Sequence, residues 1–155
     1  MRELSGIPAA PGYAVGPVRR VRRVALKVER RSIGSGDVAD ERKRFEAAVG
    51  RARADLTALR DKLARELGGD EAAIIDSQLL MLEDELVWDT TLSRIRTQLV
   101  NAESAFARSI GDIAVQFDGM QEQALRERIA DLRDLEDRVL RAFLPAETTP
   151  GEQWV

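Results

Sequence analysis

Between Phe45 and Leu67 the apolar residues Phe45, Val49, Ala52, Leu56, Leu59, Leu63 and Leu67 recur at spacings of 4, 3, 4, 3, 4 and 4. Only a helix places such residues on one side, so this stretch reads as a single long helix with one apolar stripe. From Val38 to Leu67 it would span roughly 45 Å. A stripe of that length has to be covered by other helices. Aromatics make up only 5% of the chain, so the core must be built from Leu, Ile, Val and Ala.

The covering helices are legible downstream. Gly68-Gly69 reads as a stop, and Asp70 as the N-cap of a second helix carrying Ile74, Ile75, Leu79 and Leu82. A bend is expected at Glu83-Asp84-Glu85, where adjacent acids repel and the apolar phase shifts. Trp88, Leu92, Ile95 and Leu99 follow on the far side of the bend. Asn101 reads as the N-cap of a third helix with Phe106, Ile110, Ile113, Phe117 and Met120 inward and Asp118-Gly119 at its end. A fourth carries Leu125, Ile129, Leu132, Val139 and Phe143 and stops at Pro145. The expected fold is mainly α: an antiparallel four-helix bundle whose second helix is kinked.

Residues 1–31 differ. Gly6, Pro8, Pro11, Gly12, Gly16 and Pro17 exclude a helix there. Tyr13-Ala14-Val15 and Val24-Ala25-Leu26-Lys27-Val28 read as short β-strands, too few to form a stable sheet alone. Gln153-Trp154-Val155 reads as the start of a cut-off strand. The expected organisation is therefore residues 1–31 as strands of an incomplete α/β domain, residues 37–144 as an autonomous bundle, and residues 145–155 as linker and strand start.

The absence of Cys and His removes disulfides, thiol chemistry, the commonest general base and phosphohistidine. No apolar run approaches the ~18 residues of a membrane span, and the start lacks the apolar stretch of a signal peptide. A cytoplasmic location is the expectation. Net charge is only −3, but Glu66–Ser93 holds eight acids and no Lys or Arg. Exposed helices ordinarily mix signs, as the first does with Glu41, Arg42, Lys43, Arg44 and Glu46. Among these acids Gln78 and Met81 lie outside the main stripe. Acids around an adaptable Met form a docking surface for a basic partner.

Other patterns carry less. Glu83-Asp84-Glu85 converge poorly on one metal ion, because neighbouring helical residues point about 100° apart. The basic residues of 19–31 have no interleaved aromatics for base stacking and read as a strand edge or loop. Gly6–Gly12 is no phosphate loop, since no Lys-Ser/Thr and no helix follows. Arg126-Glu127-Arg128 and Asp131-Leu132-Arg133-Asp134 are ordinary salt-bridging helix surface by themselves.

Three stretches together resemble the phosphoenolpyruvate–protein phosphotransferases, Enzyme I of the bacterial sugar phosphotransferase system. They are Gly6-Ile7-Pro8-Ala9-Ala10-Pro11-Gly12-Tyr13-Ala14-Val15-Gly16-Pro17, the run Ala73 to Glu85, and Leu125 to Asp134. The resemblance implies an amino-terminal half with an α/β swivelling domain, which holds a phosphorylated histidine, and a helical insert that docks the phosphocarrier HPr. This chain is similar to the opening strands of the first and to all of the second. The histidine motif is absent. So is the carboxy-terminal barrel, to which the resemblance assigns phosphoenolpyruvate, magnesium and homodimer formation.

Carried over by motif, the docking residues are Asp70, Glu71, Ile74, Asp76, Gln78, Met81 and Glu85, with Arg128. The family often has His where Gln78 stands and an acid where Leu86 stands. The resemblance thus implies a full-length enzyme of which this chain is the inactive docking part, without catalytic residues, metal or cofactor of its own. Two related assignments compete, the nitrogen-regulatory paralogue and a multiphosphoryl fusion. Only five residues precede Gly6, which favours the sugar-system form. A non-catalytic helical interaction domain is the alternative of a different class.

Overall fold

Asp37 sets the start of the first helix: its Oδ2 accepts a hydrogen bond from the Gly34 amide at 2.9 Å, closing a 3-10 turn at Ser35–Asp37. The computed structural model describes residues 12–13, 15–16, 26–118 and 123–144, with backbone alone for Glu71, 117–118 and 123–128. Among the described residues five α-helices follow the turn: α1 (Val38–Glu66), α2 (Gly69–Leu82), α3 (Glu85–Gln98), α4 (Ala102–Asp118) and α5 (Gln123–Ala142). The expected bundle of four helices is present, with its kinked second helix realised as α2 and α3.

α1 is the central element and packs against each of the other four helices. Phe45, Ala48, Val49, Ala52 and Leu56 of its stripe are buried. Leu59 and Leu63 are partly buried against the same core, while Leu67 ends 63% exposed, outside the stripe it was expected to extend. The ring of Phe45 meets Trp88 edge-on at 5.0 Å and Phe106 at 5.7 Å. Truncating a fully enclosed Phe of this kind to Ala costs about 3–5 kcal/mol. Phe106, Ile110 and Ile113 of α4 and Leu132 and Val139 of α5 are buried as expected. Leu135 and Leu140 join them. The buried hydroxyls of Thr91 and Ser109 donate to the carbonyls of Val87 and Ala105 in their own helices, so neither is left unsatisfied.

The turns use different devices. Gly68 takes φ 123°, a conformation that glycine alone adopts at little cost. Gly69 already begins α2, so Asp70 is its second residue and not its N-cap; no side-chain cap bond forms there. Between α2 and α3 the break comes from capping. The carboxylate of Asp84 accepts from the Leu86 amide at 2.9 Å, and the Trp88 indole donates to the Leu82 carbonyl at 2.7 Å. Leu99 closes α3 at φ 49°, a left-handed conformation costing a residue with a Cβ about 1–2 kcal/mol.

Asn101 starts α4 with its backbone, its carbonyl accepting from the Ala105 amide at 3.0 Å. Its side chain does not cap the helix. That role falls to Glu41, a buried residue of α1 whose Oε2 accepts from the Ala102 amide at 2.8 Å. A carboxylate is favoured at a helix N-terminus by the helix dipole and the free amides.

No β-strand forms among the described residues. Leu26, Lys27 and Val28, expected in a strand, are irregular, and Tyr13 and Val15 are exposed without strand pairing. A single antiparallel bridge joins Ser32 to Val100. Its partner is the short α3–α4 connection, which is too brief to support a ladder. Ala14, Val24, Ala25, Met120, Pro145 and Gln153-Trp154-Val155 lie outside the described residues. Among those described, no helix is long and apolar enough to cross a membrane.

Candidate docking surface

The sequence of α2 carries more apolar residues than one face can bury. Ala72, Ile75 and Leu82 are buried, and Leu79 is partly buried against the core. At about 100° per residue, Asp70, Ile74, Gln78 and Met81 fall within an arc of about 80° on another side, with position 71 next to them. Ile74 is 65% exposed. It therefore belongs to the outer face and not beside Ile75 in the core stripe. Gln78 is half-buried, and Met81 is half-buried against the core, so each offers an edge to the surface.

Exposed apolar surface is concentrated here. Leu80 is 70% exposed, Leu67 stands exposed ahead of α2, and Leu86, 53% exposed, follows it in α3. Sequence reasoning missed Leu67, Leu80 and Leu86. The available signal was the adjacent pairs Ile74-Ile75 and Leu79-Leu80, since two neighbouring helical residues cannot both point inward.

The acids divide into two groups. Asp76 lies on the flank of α2 that faces α1, where Arg60 Nη1 stands 3.6 Å from its Oδ1. Glu83 pairs with Arg53 at 2.6 Å, and Asp84 is engaged as the N-cap of α3. Arg53 and Arg60 are seven residues apart on α1, two turns of the same flank, so tertiary packing supplies the cations that the run Glu66–Ser93 lacks. Asp70 near the start of α2 and Glu85 in the first turn of α3 are exposed, and neither has an ion-pair partner among the described residues. The structure thus gathers Asp70, Ile74, Gln78 and Met81 on one face, keeps Glu85 at its end, and turns Asp76 away. The side chains of Glu71 and Arg128 lie outside what is described; the backbone of Arg128 is in α5.

Arg60 is held above its ordinary pKa first by its hydrogen bond to Asp61, and Asp76 adds to this. The Arg60 guanidinium is therefore a fixed positive charge at neutral pH. The arrangement presents an apolar strip on one helix with a carboxylate toward each end.

The family described as PEP-utilising enzyme, N-terminal, matches residues 5–128. A phosphoenolpyruvate-protein phosphotransferase of Bacillus sp. (strain S) is 34% identical over 143 residues, 92% of this chain and 24% of that protein. The chain spans about a quarter of the length of the curated relatives it matches. Among solved structures, the NMR solution structure of an Enzyme I protein aligns with a TM-score of 0.72 at 23% identity, covering 77% of this chain and 48% of that one. The N-terminal domain of Enzyme 1 - Nitrogen aligns with a TM-score of 0.67 at 27% identity, covering 76% and 48%.

Proposed function

The chain belongs to the PEP-utilising enzyme N-terminal family, and from that premise we propose that it is the HPr-docking module of Enzyme I, which passes a phosphoryl group from phosphoenolpyruvate to HPr in the sugar phosphotransferase system. The observation that carries this reading is the outer face of α2, where exposed Ile74 lies beside Met81 and between the carboxylates of Asp70 and Glu85, with exposed Leu80 on the adjoining flank. An apolar strip with acidic ends fits a carrier that presents apolar side chains flanked by basic ones. The apolar contact supplies affinity and the charges guide encounter. Glu71 and Arg128 complete the docking set by motif, with Asp76 on its flank.

The chain contains no His. In this reading the phosphoryl-carrying histidine, the phosphoenolpyruvate site, the magnesium and the homodimer contact belong to parts of the enzyme outside this chain. Among the described residues no group of three or more His, Cys, Asp or Glu is placed to hold a metal ion. The enzyme works in the cytoplasm, where both phosphoenolpyruvate and the carrier are available.

The test is an NMR titration of the labelled chain with unphosphorylated HPr. Shifts should map to α2, the first turn of α3 and the α5 segment around Arg128, with a Kd on the order of micromolar, about −8 kcal/mol. Shifts confined to α1 and α4 would rule the surface out. The likeness to the nitrogen-branch structure at 27% identity supports a second reading, the same module in the nitrogen-regulatory paralogue. Parallel titration with the carrier of each branch separates the two.

A further inference from the structure

The residues just ahead of α1 were expected to belong with the strands of another domain, yet they are tied to the bundle. Leu26, Val28 and Ile33 are partly buried against the core. The backbone between them is bonded to the α3–α4 turn: the Ile33 amide donates to the Leu99 carbonyl at 2.9 Å, and the Asn101 amide to the Arg31 carbonyl at 2.9 Å.

Asn101 uses its side chain on the same segment. Its Oδ1 accepts from the Arg31 amide at 2.8 Å, and its Nδ2 donates to the Glu29 carbonyl at 3.1 Å. A single side chain therefore reads the backbone of two residues that lie about 70 positions away in sequence. Below it, Glu41 receives the Arg31 guanidinium at 2.9 Å while capping α4. Arg44 bridges Glu41, at 2.7 Å, to Glu103.

Leu99 is held in a left-handed conformation that a residue with a Cβ disfavours. Such a conformation persists only where the surroundings over-determine it, and the bonds on either side of Leu99 do so. The Asn101 side chain and the Glu41 carboxylate both bond the segment, through the Arg31 and Glu29 backbone and the Arg31 guanidinium.

We propose that Leu26–Ile33 is a strap locked onto the α3–α4 turn by Asn101 and Glu41, so that the rigid body carrying the α2 face begins at the strap and not at α1. A change in direction between the bundle and the chain ahead of it is then made before Leu26. The strap is independent of what docks on α2, and its test does not involve a partner.

Hydrogen exchange of the whole chain, followed by NMR, tests this. In the unaltered protein the amides of Arg31, Ile33 and Asn101 should be protected like those in the interior of α4. Exchange of Arg31 and Ile33 at the rate of an unstructured chain overturns the proposal. In Asn101→Ala, exchange at Arg31 should accelerate about 2- to 10-fold, the factor that goes with losing one hydrogen bond. Amides of Val49 and Ile110 should be unaffected. Asn101→Asp keeps the acceptor for the Arg31 amide and should retain most of its protection. Unchanged Arg31 exchange in Asn101→Ala refutes the lock. Equal acceleration at Val49 and Ile110 also refutes it, because Asn101 would then serve the bundle as a whole.

Discussion

Ile74 and Ile75 are neighbours in sequence with opposite environments, and truncating each should have opposite consequences. Ile75 is 7% exposed and Ile74 is 65% exposed. Ile75→Ala leaves a cavity against α1 and should cost about 2–5 kcal/mol of stability. Ile74→Ala removes a side chain that is mostly in water and should change stability by less than about 0.5 kcal/mol. Docking reverses the order. Fully burying an Ile contributes about 1.5–3 kcal/mol. The exposed two-thirds of Ile74 therefore has about 1–2 kcal/mol to gain under a partner, which is roughly 5–30-fold in Kd. Urea denaturation followed by circular dichroism measures the first quantity, and isothermal titration calorimetry with HPr the second. The reasoning fails if Ile74→Ala unfolds as easily as Ile75→Ala. It fails equally if Ile74→Ala binds HPr with unchanged affinity, since the outer face of α2 would then not be the interface.

Leu132 is 5% exposed on α5, and Leu132→Ala should lower unfolding free energy by roughly 2–5 kcal/mol; a loss below ~1 kcal/mol in urea titrations would mean that α5 is packed in another phase. Glu85→Lys at the end of the docking face should slow association with HPr in stopped-flow measurements, and the difference from the unaltered chain should shrink as salt rises. Glu136 is half-buried on α5, and burial raises its pKa above the usual carboxylate value, with Arg133 opposing and Asp137 assisting the rise. A raised folded pKa means that its contribution is fully present below the unfolded value and is lost as pH rises through the folded one. Glu136→Gln should therefore be more stable than the unaltered chain at neutral pH, with the advantage gone at about pH 3; a urea midpoint difference independent of pH would contradict this.

The helices were legible because their information is local. The spacing of Phe45, Val49, Ala52 and Leu56 admits one period, and α1 runs within a residue of where that period places it. The stop at Gly68 was equally plain, since a residue that disfavours helix acts where it stands. α5 shows the limit of this legibility: Leu132 and Val139 were read as core, while Leu135 and Leu140 emerged only when packing chose the exact width of the buried stripe.

What tertiary structure decided is everything that depends on a distant partner. The run Glu66–Ser93 looked uniformly acidic because its cations, Arg53 and Arg60, belong to a different helix. Asp76 and Glu83 are charged in the sequence but paired in space, which leaves the docking face more apolar than its composition. Asn101 was read as a cap because its residue type favours that role. The chain instead spends its side chain on Glu29 and Arg31 and brings Glu41 to the helix end, since a carboxylate serves the free amide and the two arginines together. Pattern along a chain reports which side of an element avoids water. Only the packed molecule determines which of the polar groups on the remaining sides are already satisfied by their neighbours, and so which stay free to meet a partner.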